Sequence, residues 1–282
     1  MLLHPATAKA IQDFVSQPAH ALLISGPEGS GKGSVAQKIA ADLLNIDAGA
    51  LDSHPYTLWL RSDTSVSIEN IRAAQKLMQL KVPGSETIRR VVIVEQAQTM
   101  SIEAQNAFLK LLEEPPADTV IILTASATQQ LLPTILSRLQ QVTVLPPSKE
   151  AALELFGKNH KAVDIEKAFY LSEGYVGLLH AILEEDTAHP LVEQIQLAKA
   201  VLAGNAYTRL CQVDAIAKEK QVPLFLKALE RICHAALVQA AQKGGSATNA
   251  WKNRLQAVVA AEDAQKRNPS AKLLLTDLFL AL

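Results

Sequence analysis

The stretch from Ile24 to Gln37, ISGPEGSGKGSVAQ, constrains this 282-residue chain more than any other. Gly26, Gly31 and Lys32 meet the G-x-x-x-x-G-K spacing of a loop that turns backbone amides inward around an anion. The helix behind such a loop adds its positive end, and Lys32 brings a point charge to outer phosphates. Its flanks suit it: ALLIS, Ala21 to Ser25, reads as a buried strand, and VAQKIAADLL, Val35 to Leu44, has apolar residues at helical spacing. The residues placed to meet phosphate are Gly26, Glu28, Gly29, Ser30, Gly31, Lys32, Gly33 and Ser34. One position breaks the rule. A serine or threonine should follow the lysine and offer its hydroxyl to magnesium, but the chain has Gly33, and Ser34 sits about 100° further round the helix.

Two further buried strands follow, RVVIVEQ (90–96) and TVIILTAS (119–126), and a third, QVTVL (141–145), is closed by Pro146 and Pro147. Continuous β-branched runs of this kind belong to parallel sheets covered on both faces. Between the first two lies the helix SIEAQNAFLKLLEE, with Ala104, Ala107, Phe108, Leu111 and Leu112 on one stripe and Pro115 and Pro116 to stop it. Alternating strand and helix predicts a parallel α/β sheet with the glycine loop at a strand's carboxyl end. After Pro147 the strand signals vanish. EAALELF, EKAFYLS, LVEQIQLAKAVL, FLKALERICHAALVQAA and KLLLTDLFLAL read as helices, SEGYVGLL and EEDTAHP as breaks, and KGGSATN (243–249) as an exposed loop. The division expected is an α/β domain over 1–147, a small helical domain over 148–189 and a larger helical one over 190–282.

In a P-loop ATPase the second strand ends in an aspartate that holds magnesium through water and a glutamate that polarises the attacking water. Here those positions are Glu95 and Gln96. Glu95 could reach a metal with its longer arm, whereas Gln96 cannot take a proton as a carboxylate does; the other reading is two polar strand-end residues. Either way, two departures fall on the same metal-and-water chemistry.

Composition excludes rather than selects. Lysine plus arginine (27) nearly cancel aspartate plus glutamate (28), so no overall field draws the chain to nucleic acid or membrane. Lys81, Arg89 and Arg90 read as a solvated face sooner than as phosphate contacts. Cys211 and Cys233 have no second pair with which to complete a zinc site and read as two buried thiols in a reducing cytosol. His4, Pro5 and Lys9 interrupt the N-terminus before a signal-peptide core forms, and no apolar run approaches membrane-spanning length, so a cytoplasmic, membrane-free protein is expected.

NAFLKLLEEPP (106–116) and LPTILSRLQQVTV (132–144) add a resemblance that covers nearly the whole chain. The first is similar to the N-A-L-L-K-x-L-E-E-P of the delta-prime subunits of bacterial DNA polymerase III clamp loaders, which are AAA+ proteins. HPATAKAIQDF, HPYTLWLRSD with SIENIRAAQKLMQL, and RNPSAKLLLTDLFLAL resemble the same family's opening, mid-domain segment and last helix. The resemblance implies an AAA+ P-loop domain, a helical lid and an all-α collar, working in a hetero-oligomer that loads the sliding clamp on primed DNA. In that family a serine-arginine-cysteine motif presents its arginine to ATP on the neighbouring subunit. Ser137 and Arg138 match it and Leu139 replaces the cysteine. A permanently charged, planar guanidinium suits such a role; the plainer reading is a solvated arginine before an edge strand. Thr124 stands at the family's first sensor position, or simply caps its strand. Gly177 stands where an ATPase subunit would place a second-sensor arginine, and the zinc module of many members is absent.

The expectation is therefore a stator: ATP or ADP with magnesium is the ancestral ligand, Gly33, Gln96 and Gly177 argue against its retention, and neither zinc nor another resident metal is expected. The implied partners are gamma/tau-like ATPase and delta subunits, met through the collar and the Arg138 face, with the sliding clamp and primed DNA. Three rivals stay open: an active ATP-hydrolysing subunit of the same machine, a P-loop kinase acting on a metabolite, and a non-enzymatic assembly protein whose P-loop is purely structural.

Overall fold

Five parallel strands lie in the order β2–β3–β4–β1–β5: β1 (Ala21–Ser25), β2 (Thr57–Leu60), β3 (Arg90–Val94), β4 (Thr119–Ala125) and β5 (Gln140–Thr143). The computed structural model describes residues 1–61, 66–79, 82–83, 87–186, 189–218, 221–242, 247–267 and 269–282. They divide into two compact units, Met1–Pro147 and Ser148–Leu282. Three of the strands match the apolar runs closely. β5 starts one residue earlier than its pattern suggests, and β2 is unannounced, because TLWL is four residues long and pairs β3 alone from the sheet's edge.

Alternation along the strands splits the α/β core in two. Leu23, Val92, Val94, Ile121 and Leu123 point to one face and pack with α3 (Ile68–Gln79), α4 (Ile102–Glu113) and α5 (Pro133–Leu136). Leu22, Ile24, Val91, Ile93, Val120 and Ile122 point to the other and pack with α1 (Pro5–Ser16) and α2 (Lys32–Leu44). Ser101 caps α4, its hydroxyl accepting the Ala104 N–H at 3.2 Å. The stripe of α4 is buried except for Ala107, and Gln105 joins it. That glutamine is fully engaged: its amide donates to Met100 O and Gln130 O (each 3.1 Å), and its oxygen accepts the Leu132 N–H at 2.8 Å. It thereby fixes the segment that leads into α5. Arg89 and Arg90 are not a solvated face. Arg89 pairs with Asp118 at 3.1 Å and Arg90 is 1% exposed within the sheet, while Lys81 lies outside the described residues.

The second unit is helical throughout its described residues: α6 (Lys149–Phe156), α7 (Ala162–Leu171), α8 (Val176–Leu183), α9 (Pro190–Ala203), α10 (Ala206–Lys218), α11 (Val222–Gln242), α12 (Ala247–Gln265) and α13 (Ala271–Ala281). SEGYVGLL breaks the chain only as far as Tyr175, since Val176 already begins α8. Likewise Ala247 begins α12, while 243–246 lie outside the described residues. The core gathers buried residues of α8 to α13, with Phe225 edge-on to Phe279 at 6.1 Å. Arg231 of α11, 1% exposed, donates to Leu171 O at 3.4 Å and pairs with Glu173, also at 3.4 Å, in the turn before α8. On α13, Leu274, Leu275, Leu278 and Phe279 are buried within this unit, whereas Leu273 (67%) and Leu280 (63%) face outward. Of the two cysteines only Cys233 is buried, and burial pushes its thiol up to about 11; Cys211 is exposed, contrary to the expected pair of buried thiols. Among the described residues no helix is long and apolar enough to cross a membrane, and no cluster of three His, Cys, Asp or Glu side chains could hold a metal ion.

Candidate functional site

The loop after β1 has the geometry its glycines predict. Gly26 lies at φ +156°, where a β-carbon would come within 2.9 Å of the Ser30 hydroxyl, and Gly31 opens α2 at φ +84°. Lys32 is 9% exposed and curls back on the loop: its ammonium donates to Gly26 O at 2.7 Å, to Pro27 O at 2.8 Å and weakly to the Ser30 hydroxyl at 3.5 Å. Burial pulls its pKa down to about 8, against the charge of exposed Glu28, which pulls it up. Gly29 (φ +78°) completes the turn, and Ser34 is exposed.

The two departures seen in sequence meet in space. A β-carbon on Gly33 would stand 3.3 Å from the Glu95 carboxylate, so the absent hydroxyl and the strand-end acid belong to one spot. Glu95 is itself engaged. Parallel pairing puts Leu60 opposite Val94, so Arg61 emerges beside Glu95, with its Nε 4.0 Å from Glu95 Oε1. The same guanidinium lies 3.6 Å over the Trp59 ring and 3.3 Å from Asp52. The P-loop fold implies a magnesium ion, and these residues do not fit one: position 33 offers no side-chain oxygen, and a guanidinium stands 4.0 Å from the acid. Gln96, at φ +49°, donates its N–H to the Thr124 hydroxyl at 3.1 Å, and Thr124 is 3% exposed. That hydroxyl thus ties the end of β3 to β4. Sequence reasoning missed Arg61, Trp59 and Asp52. Their only signal was β2 itself, since its register sets Arg61 next to Glu95.

Arg138 and Ser137 lie elsewhere. β5 runs parallel to β1 with Gln140 opposite Leu22 and Thr143 opposite Ser25, so Arg138 sits at the amino ends of the strands and the loop at their carboxyl ends. Roughly 10 Å of strand separates the two edges, at about 3.3 Å per residue. Arg138 donates to Thr134 O at 2.8 Å and to Glu113 Oε1 at 3.0 Å, and Ser137 donates to Thr134 O at 3.1 Å. The arginine is about a third exposed, paired with the acid that ends α4, and followed by Leu139, which is buried in the core. Gly177 belongs to α8 of the helical unit.

Comparison with known proteins places this architecture. The family model for DNA polymerase III, delta subunit, matches residues 5–148, just over half of the chain. The chain belongs to this family. Its curated relatives include the DNA polymerase III subunit delta' of Pseudomonas aeruginosa, 33% identical over 56% of this chain and 54% of that protein. The delta' subunit of Bacillus subtilis is 28% identical over 53% and 50%, and the tau subunit of the same organism 29% over 56% and 30%. The chain thus spans about half the length, or less, of these curated relatives. Among solved structures, a DNA polymerase III gamma subunit-related protein from Thermotoga maritima shares the fold, with a TM-score of 0.60, 20% identity and coverage of 98% of this chain and 97% of that one. Delta' and tau both fall among the relatives, so only the site's own geometry can argue between the roles.

Proposed function

We propose that the chain is a stator subunit of a DNA polymerase III clamp loader, with a cancelled ATP site, and that it gives Arg138 to ATP held by a neighbouring subunit. The observation that carries this reading is the place of Arg138. It lies on the sheet edge opposite the chain's own loop, where Glu113 and Thr134 hold the partly exposed guanidinium. A cation there serves a phosphate on another molecule, whose spreading transition-state charge a guanidinium stabilises. The chain's own site supports the same view, since Lys32, Glu95 and Thr124 are each engaged within it. Family membership supplies the setting, in which the sliding clamp and primed DNA are the loader's substrates. Leu273 and Leu280, outward on α13, supply an apolar surface for delta and gamma/tau-like neighbours.

The relatives named tau and gamma/tau favour a second reading, an ATP-hydrolysing subunit of the same machine. One experiment separates the two: clamp- and DNA-stimulated ATP turnover of the reconstituted loader with Arg138→Ala or Lys32→Ala in this chain. Collapse with the arginine change alone supports the stator. Collapse with the lysine change alone supports the working ATPase.

A further inference from the structure

Arg61 is the constituent of the loop's surroundings that no motif predicts. It follows β2, and β2 pairs with β3 so that the Glu95 N–H donates to Leu60 O at 3.0 Å; the backbone therefore fixes Arg61 and Glu95 as neighbours. Three contacts hold the guanidinium: the Trp59 face at 3.6 Å, Asp52 at 3.3 Å and Glu95 at 4.0 Å. Asp52 comes from the short helical turn before β2, so the cluster draws on three separate segments of the chain.

We propose that Arg61 bars a divalent cation from this loop, a role that rests on reading Gly26–Ser34 as a cancelled phosphate site. A metal between the loop and β3 would need a side-chain hydroxyl at position 33 and a free carboxylate at position 95. Gly33 removes the first, and Arg61, 4.0 Å from Glu95 Oε1, competes with an ion for the second. The guanidinium also sets a fixed positive charge beside the spot where the ion would carry two. The two defects are independent, because position 33 lies on α2 and Arg61 beyond β2. Restoring the hydroxyl alone therefore leaves the spot closed to the ion.

The test uses the full chain by itself, with Mn2+ as the probe ion and ADP as the phosphate ligand. Free Mn2+ is counted by electron paramagnetic resonance against the same ADP without protein. Wild type and Gly33→Thr are expected to withdraw no additional ion, and Gly33→Thr with Arg61→Gln to withdraw it at least ~10-fold more tightly than Gly33→Thr. Gly33→Thr with Arg61→Lys, which keeps the charge, should stay as poor as Gly33→Thr. Metal uptake by Gly33→Thr alone overturns the proposal, as does failure of the neutral double variant to take up the ion. Arg61→Ala serves as a second neutral variant, and thermal melts by circular dichroism establish that each protein is folded. Arg138 plays no part in this measurement, so its outcome and that of the loader assay fail separately.

Discussion

The two edges of one parallel sheet carry the same chemical vocabulary to opposite effect. At the carboxyl edge, Lys32 donates to its own loop, Glu95 faces Arg61, and Thr124 takes the Gln96 N–H. These three groups are answered from within the chain. At the amino edge, Arg138 is answered only in part: Glu113 and Thr134 orient it, and about a third of its side chain stays exposed. The difference lies in how the charges are held, since both edges have cations and acids. Lys32 and Thr124 are buried among partners of their own chain, whereas Arg138 is steadied at a surface.

The strongest way to break that contrast is Arg138→Ala. Arginine fingers are worth roughly 10³-fold or more, so turnover at the neighbouring site should fall about that far in a steady-state assay, with Lys32→Ala changing it less than about 2-fold. An equal loss from both would erase the distinction between the edges. Next comes the pH dependence of Lys32. Its folded pKa of about 8 lies below the ordinary 10.5, so between those values the unfolded chain holds a proton that the folded chain has lost, and stability rises with pH across that window. The gain is on the order of 3 kcal/mol at 1.36 kcal/mol per unit. Denaturant midpoints at pH 7.5 and pH 10 should diverge in wild type and draw together in Lys32→Met.

Thr124→Val leaves the Gln96 N–H without its acceptor and should cost about 1–3 kcal/mol in urea unfolding while leaving loader turnover unchanged. The smallest effect sharpens the other edge. Glu113→Gln should lower turnover several-fold by releasing Arg138, yet cost stability less than about 1 kcal/mol, because the pair is exposed. A large loss of stability there would recast Glu113 as a structural residue.

The sequence made the α/β core legible because its strands are continuous β-branched runs and its loop has a fixed spacing. The stripe of α4 was legible for the same reason, since Phe108, Leu111 and Leu112 recur at helical intervals. α10 and α12 were not separately legible. Only Val258 and Ala261 of α12 are fully buried, so no apolar stripe advertises it. At the site, Gly33 and Gln96 could be read as departures from a pattern, but their company could not. Asp52, Arg61 and Glu95 meet through the pairing of β2 with β3, a non-local fact that four residues of strand do not disclose. Cys211 and Arg90 show the same limit from the other side, because residue type alone made one a core thiol and the other a surface cation.

On the proposed reading, opposite edges for Arg138 and the loop also give the chain a polarity. Molecules that offer at one end what they accept at the other associate head to tail, by a heterologous contact that closes into a ring or runs on as a filament. On the proposed reading, this chain offers without accepting. A closed ring holding one such member has one interface more than it has working sites, and its rotational symmetry is broken at a single marked position.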